Sequence, residues 1–116
     1  MLLSINNSKF KVKVLVSEKE TQKGMMGKKF DKDFNGMLFM MGDGEHCFWM
    51  NNTKIPLSIA FIADDGKIVN IEEMQAETTN NHCPKATVRY ALEMNKQWFS
   101  ERVITPGSVI TGLPKR

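Results

Sequence analysis

IAFIADDGKIVNIEEM, residues 59–74, decides the fold class. Two apolar, largely β-branched arms flank Asp64, Asp65 and Gly66. An Asp-Gly pair accepts the positive φ that a tight turn between two strands requires. Residues 59–63 and 67–74 are therefore read as the arms of a β-hairpin, and a chain organised around it is expected to be mainly β.

Working outward toward the N terminus, residues 9–16 alternate, with Phe10, Val12, Val14 and Val16 on one face and Lys11 and Lys13 on the other. That period of two marks a half-buried strand. Ser17 stands three residues before Glu20, the spacing of a capping box, so a short helix is expected over 18–26, weakened and stopped by Gly24 and Gly27. Residues 28–35 read as a polar loop anchored by Phe30 and Phe34. The apolar runs 36–41 and 47–50 flank Gly42, Asp43 and Gly44, which predicts a second hairpin.

Toward the C terminus, residues 77–85 are polar and end near Pro84, as a long loop does. Residues 87–93 read as a strand, and 95–101 as a short helix presenting Trp98 and Phe99. Pro106 and Gly107 turn the chain into a last strand over 108–111. The total is seven or eight short strands and two short helices. The expected fold is mainly β (β-rich α+β), a small barrel or sandwich, in a single domain over 1–116. There is no internal repeat, low-complexity tract or linker.

Composition narrows the function classes. Hydrophobic residues make up 41 % and charged residues 25 % of 116 residues, which is globular rather than disordered usage. The net charge of +3 is mild, and the lysines alternate with acids. The basic pairs Lys28 with Lys29 and Lys115 with Arg116 read as solvated surface, so no nucleic-acid partner is expected. No stretch reaches the apolar length of a membrane span. The first residues carry neither a basic nor a long apolar region, so the expected location is cytoplasmic, export applying only to a trimmed mature form. Sequons at Asn6 and Asn51 carry no weight without an export signal.

Three blocks carry a resemblance: GMM at 24–26 with GMLF at 36–39, FWMNNTKIPLSIAFI at 48–62, and RYALE at 89–93 with Gly107 and Val109. Together they resemble the uncharacterised family catalogued as domain of unknown function 192, over about residues 17–110. The resemblance implies a compact β-rich fold with a partly closed barrel, and no assigned substrate, cofactor or catalytic residue. Relatives often carry an export signal or lipoprotein leader, which this sequence does not show. Relatives usually carry Lys where this chain has Asn51, and Asp where it has Ser58. If that Asp is catalytic in them, this chain lacks the reaction.

Candidate chemistry concentrates in two places. In 49–53, Trp49 offers a stacking plate and Asn52 and Thr53 offer hydrogen bonds, next to Ile55 and Pro56. The plainer reading is that Trp49 fills the core and the two polar residues satisfy a turn. Glu93 shares its strand face with Ala91, opposite Tyr90 and Leu92. If buried it needs a partner, for which Arg89 and Lys54 are in the frame. Unpaired, its carboxyl would titrate high and serve as an acid or base.

The dipeptides His46-Cys47 and His82-Cys83 suggest zinc, but neighbours on a strand face opposite ways and no Cys-x-x-Cys pair exists. No metal and no cofactor are expected. A Cys47 to Cys83 disulfide is the alternative to two free thiols, and free thiols are expected for a cytoplasmic chain. Nine methionines are gap fillers beside apolar runs rather than a copper site.

The reading is a non-enzymatic binding or accessory module. Its single cleft would lie between Trp49, Asn52 and Thr53 on one side and Arg89 and Glu93 on the other, and take a small polar ligand or a peptide end. One alternative is a small hydrolase using Glu93 with His82 or Cys83. The other is a structural protein that docks through a sheet edge.

Overall fold

The computed structural model describes residues 1–15, 35–41 and 47–114. The helix expected over 18–26, most of the 28–35 loop, the 42–44 turn, His46 and both basic pairs lie outside the described residues.

Among the described residues, six strands form one sheet in the order β1-β2-β3-β6-β4-β5. They are β1 Leu2–Ile5, β2 Ser8–Leu15, β3 Gly36–Met40, β4 Leu57–Ile62, β5 Ile68–Met74 and β6 Tyr90–Asn95. All neighbours are antiparallel except β2 and β3, which run parallel. The sheet curls into a half-barrel.

The 59–74 hairpin forms as read. Ala63 N donates to Lys67 O, Gly66 N donates to Ala63 O, and the Asp65 carboxylate accepts from Lys67 N. Gly66 sits at φ 91, and a Cβ there would lie 2.6 Å from the Ile110 carbonyl oxygen, so both backbone freedom and space require glycine.

β1 is a strand that the sequence reading missed. Its hairpin with β2 turns on Asn6 and Asn7, at φ 46 and 70, values that asparagine tolerates better than most residues. The Asn-Asn pair between two apolar stretches was the available signal.

The second expected hairpin does not form. Both edges of β3 are occupied, by β2 and β6, so 47–50 cannot pair with it. Instead Phe48 and His82 exchange backbone hydrogen bonds of 2.8 Å, and Met50 N donates to Thr78 O. Gly36, Met37, Leu38 and Phe39 are all buried, as suits a central strand packed on both faces rather than a hairpin arm with a wet side.

Two cores result. The inner one gathers Leu3 and Ile5 of β1, Phe10 and Val12 of β2, Leu38, Ala60, Ile62, Leu92 and Ile68 of β5. Members from both edge strands meet because the sheet curls around them. The outer face packs Leu15, Met37, Phe39, Met50, Leu57, Ile59, Phe61, Met74 and Ala91. Residues 107–111 then run from one sheet edge to the other. Gly107 N donates to Ile68 O, Ile68 N to Ser108 O, and Ser4 and Thr111 exchange backbone bonds. The expected last strand is thus a seam, and it covers part of both edges that would otherwise invite pairing with another chain.

The helix α1, Trp98–Glu101, plugs the inner core with Trp98 and Phe99. Trp98 packs edge-on to Phe10 at 4.9 Å, and the Arg102 guanidinium lies 4.2 Å above the indole. Ile104 N donates to Phe99 O and Val103 N to Ser100 O, the two bonds of a Schellman ending. The left-handed position of that motif is held by Val103, at φ 56 and 79 % exposed. A β-branched residue there is strained by roughly 1–2 kcal/mol. Glycine relieves the strain and returns part of the gain through its looser unfolded chain. Val103→Gly is expected to stabilise the protein by about 0.5–1 kcal/mol in urea denaturation.

Candidate functional site

Glu93 sits on the outer face of the sheet, because strand alternation places it with Ala91 and against Tyr90, Leu92 and Met94 of the inner core. The ladder registers set it between Met37 of β3 and Ile59 of β4, with Glu72 of β5 beyond Ile59. The neighbouring row reads Phe39, Ala91, Phe61 and Asn70. Phe48 packs 5.0 Å from Phe39 and 5.9 Å from Phe61, so it lies over Ala91. Residues 47–53 therefore strap the outer face beside Glu93.

Glu93 is only 4 % exposed, and among the described residues its Oε1 has no hydrogen-bond partner. Burial among apolar groups pushes its carboxyl up to about 8. The side chain is accordingly a neutral acid at pH 7, able to donate and to accept a hydrogen bond. Lys54, one of the two partners considered for it, is exposed.

The strap holds the other expected residues differently. Phe48 and Met50 turn toward the sheet, and Trp49 between them turns outward, 52 % exposed, rather than filling the core. Asn52 is exposed and occupies a left-handed turn position at φ 57. Thr53 is buried; its N donates to Met50 O at 3.0 Å, its hydroxyl to Asn51 O at 3.4 Å, and its carbonyl accepts from Glu77 N. Arg89 is half-buried and joins the ladder through Ile62 and Met41. It lies four residues from Glu93, roughly 13 Å along the strand. The structure brings Glu93 next to the strap, sets Trp49 and Asn52 on the outer side of it, and leaves Arg89 at the far end of β6.

Cys47 and Cys83 form a disulfide, which corrects the expectation of two free thiols. The pairing of Phe48 with His82 puts residues 47 and 83 directly opposite each other on antiparallel segments. The same bond removes Cys83 as a nucleophile for the hydrolase reading. His82, its other proposed partner, faces Glu72 instead: Nδ1 lies 2.8 Å from Glu72 Oε1 and Nε2 3.3 Å from Asn80 Nδ2. Among the described residues no hydrogen bond joins His82 to Glu93.

A polar network at the β5 edge escaped the sequence reading. Asn70 Nδ2 donates to Glu72 Oε2 and to Cys83 O, and Asn70 Oδ1 accepts from Lys85 N. A buried asparagine between Val69 and Ile71 was the signal. At the opposite end of the sheet, Ser58 donates to Glu73 at 2.6 Å and both accept from Gln97 N. Ser58 thus anchors the start of α1.

Among the described residues no helix is long and apolar enough to cross a membrane. No curated protein matches the chain. A candidate transcription regulator from Sinorhizobium meliloti 1021 is 27 % identical, with a TM-score of 0.86 over 96 % of this chain and 90 % of that one. A protein of unknown function from Novosphingobium aromaticivorans DSM 12444 shares the fold at a TM-score of 0.87 and 24 % identity, over 96 % of this chain and 84 % of that one. The family model DUF192, described as an uncharacterized ACR, matches residues 1–112, taking in the β1–β2 hairpin as well as the stretch expected from 17 onward. The chain therefore belongs to the uncharacterised DUF192 family.

Proposed function

We propose that this protein is a non-enzymatic binding or accessory module whose single site lies on the outer face of the sheet, between the 47–53 strap and the β6 strand that carries Glu93. Trp49 and Asn52 form its rim, and it takes a small ligand or a peptide end with a group that hydrogen-bonds to Glu93. The observation that carries this reading is the buried carboxyl with an unpartnered oxygen. Leaving a polar group buried and unbonded costs about 1–3 kcal/mol. Such a group is expected to persist where a bound partner satisfies it.

The disulfide adds a compartment to the reading. Disulfides persist in oxidising surroundings, which favours those over the cytoplasm for this chain.

A ligand screen read by thermal shift tests the site. A true ligand is expected to raise the melting temperature of the wild type by several degrees at a hundred-fold excess over Kd. The shift should vanish in Glu93→Leu and shrink in Trp49→Ala and Asn52→Ala. If all three variants keep the full shift, the site is elsewhere.

A further inference from the structure

The chemistry of the outer face limits what Glu93 can hold. The cluster that packs there contains Leu15, Leu57, Ile59 and the four buried methionines Met37, Met41, Met50 and Met74. Met37 is the direct cross-strand neighbour of Glu93, and Met50 belongs to the strap. Methionine is unbranched and polarisable, so a wall made of it re-packs around a guest more readily than one of β-branched residues. The charges nearest Glu93 in its ladder row are Glu72 and Lys13, each two strand spacings or roughly 10 Å away; Glu72 is already bonded to His82 and Asn70, and Lys13 is exposed.

From this wall and its one unsatisfied polar atom, we infer that the site takes an uncharged ligand with an apolar body and one hydrogen-bonding head group. This rests on the binding reading above and names its ligand class. Among the described residues the cation of this row is the exposed Lys13, two strands away, so an anionic head beside Glu93 would bury its charge without a hydrogen-bonded counter-ion. A cationic head would require two charges to be stripped of water inside an apolar wall, a cost that their attraction seldom recovers without further hydrogen bonds. A neutral amide or hydroxyl satisfies Glu93 with no such cost, while its alkyl part covers the thioethers.

The test uses four six-carbon probes with the same tail: hexanamide, hexan-1-ol, hexanoate and hexylammonium. Each is titrated into the full chain labelled at the methionine ε-methyl groups, and the methyl spectrum is followed. Hexanamide and hexan-1-ol are expected to shift the Met37 and Met50 methyls saturably, with the charged probes at least ten-fold weaker. Glu93→Gln, which keeps a donor and an acceptor, should bind within a few-fold of wild type. Glu93→Leu should lose at least ten-fold. If a charged probe binds as well as hexanamide and needs Glu93, the ligand class is wrong and the site stands. If no probe moves these methyls, or Glu93→Leu binds every probe as wild type does, the binding reading falls with it. The methyl spectrum also reports whether each variant is folded, and the wild-type series decides the ligand class without the variants.

Discussion

Raising the pH from 5 to 9 is expected to destabilise this protein by several kcal/mol, and Glu93 is the cause. In the unfolded chain its carboxyl ionises near the ordinary 4.5, whereas in the folded protein burial holds the proton on until about 8. Between those values the folded state binds more protons than the unfolded one, so stability falls as pH rises. The slope is roughly 1.4 kcal/mol per pH unit across that window. Below the window both states are protonated and the contribution is complete; above it both are ionised and the loss levels off. Urea midpoints at pH 5, 7 and 9 read the effect directly. Glu93→Leu removes the group and should flatten its share of the slope. It should also stabilise the fold most at pH 9, where the wild type buries an ionised carboxyl. Subtracting the two profiles isolates Glu93 from any other group that titrates in the range. Parallel profiles in the wild type and Glu93→Leu would show that the carboxyl is solvated in the working protein.

Reducing the disulfide is expected to lower stability by about 4 kcal/mol, the loop-entropy value for a loop of this length. The two half-cystines are 36 residues apart in sequence. For a domain of this size the melting temperature should drop by on the order of 15 °C. Cys47 is exposed and Cys83 half-buried, so a reductant reaches the bond without global unfolding. The bond also ties the strap to the 78–83 segment, whose ladder rests on few hydrogen bonds. Reduction should therefore loosen Trp49 and raise its quenching by acrylamide, while Trp98, buried in the inner core, stays protected. The Cys47→Ser, Cys83→Ser double variant should reproduce both effects. A melting temperature unchanged by reductant, with two thiols titrated, would show that the bond contributes nothing to the fold.

Much of the fold was legible from short stretches. The period of two in residues 9–16, the Asp65-Gly66 turn and the face shared by Ala91 and Glu93 are local properties, set by backbone geometry and side-chain type over a few residues. The burial of Glu93 was not legible, since alternation gives a face but not what covers it. The hairpin expected over 36–50 failed for the same reason. An apolar run shows that a strand is buried, but not which strands flank it.

The sequence by itself determined that the chain is mainly β, where its surest turn lies and which residues share a strand face. Only the tertiary structure decided that β2 runs parallel to β3, that Phe48 meets His82 so that Cys47 and Cys83 bond, and that residues 107–111 seam the two edges of the sheet. Those pairings join segments tens of residues apart. They are chosen by which buried surfaces fit together once loop closure has been overcome, and no local pattern records that fit.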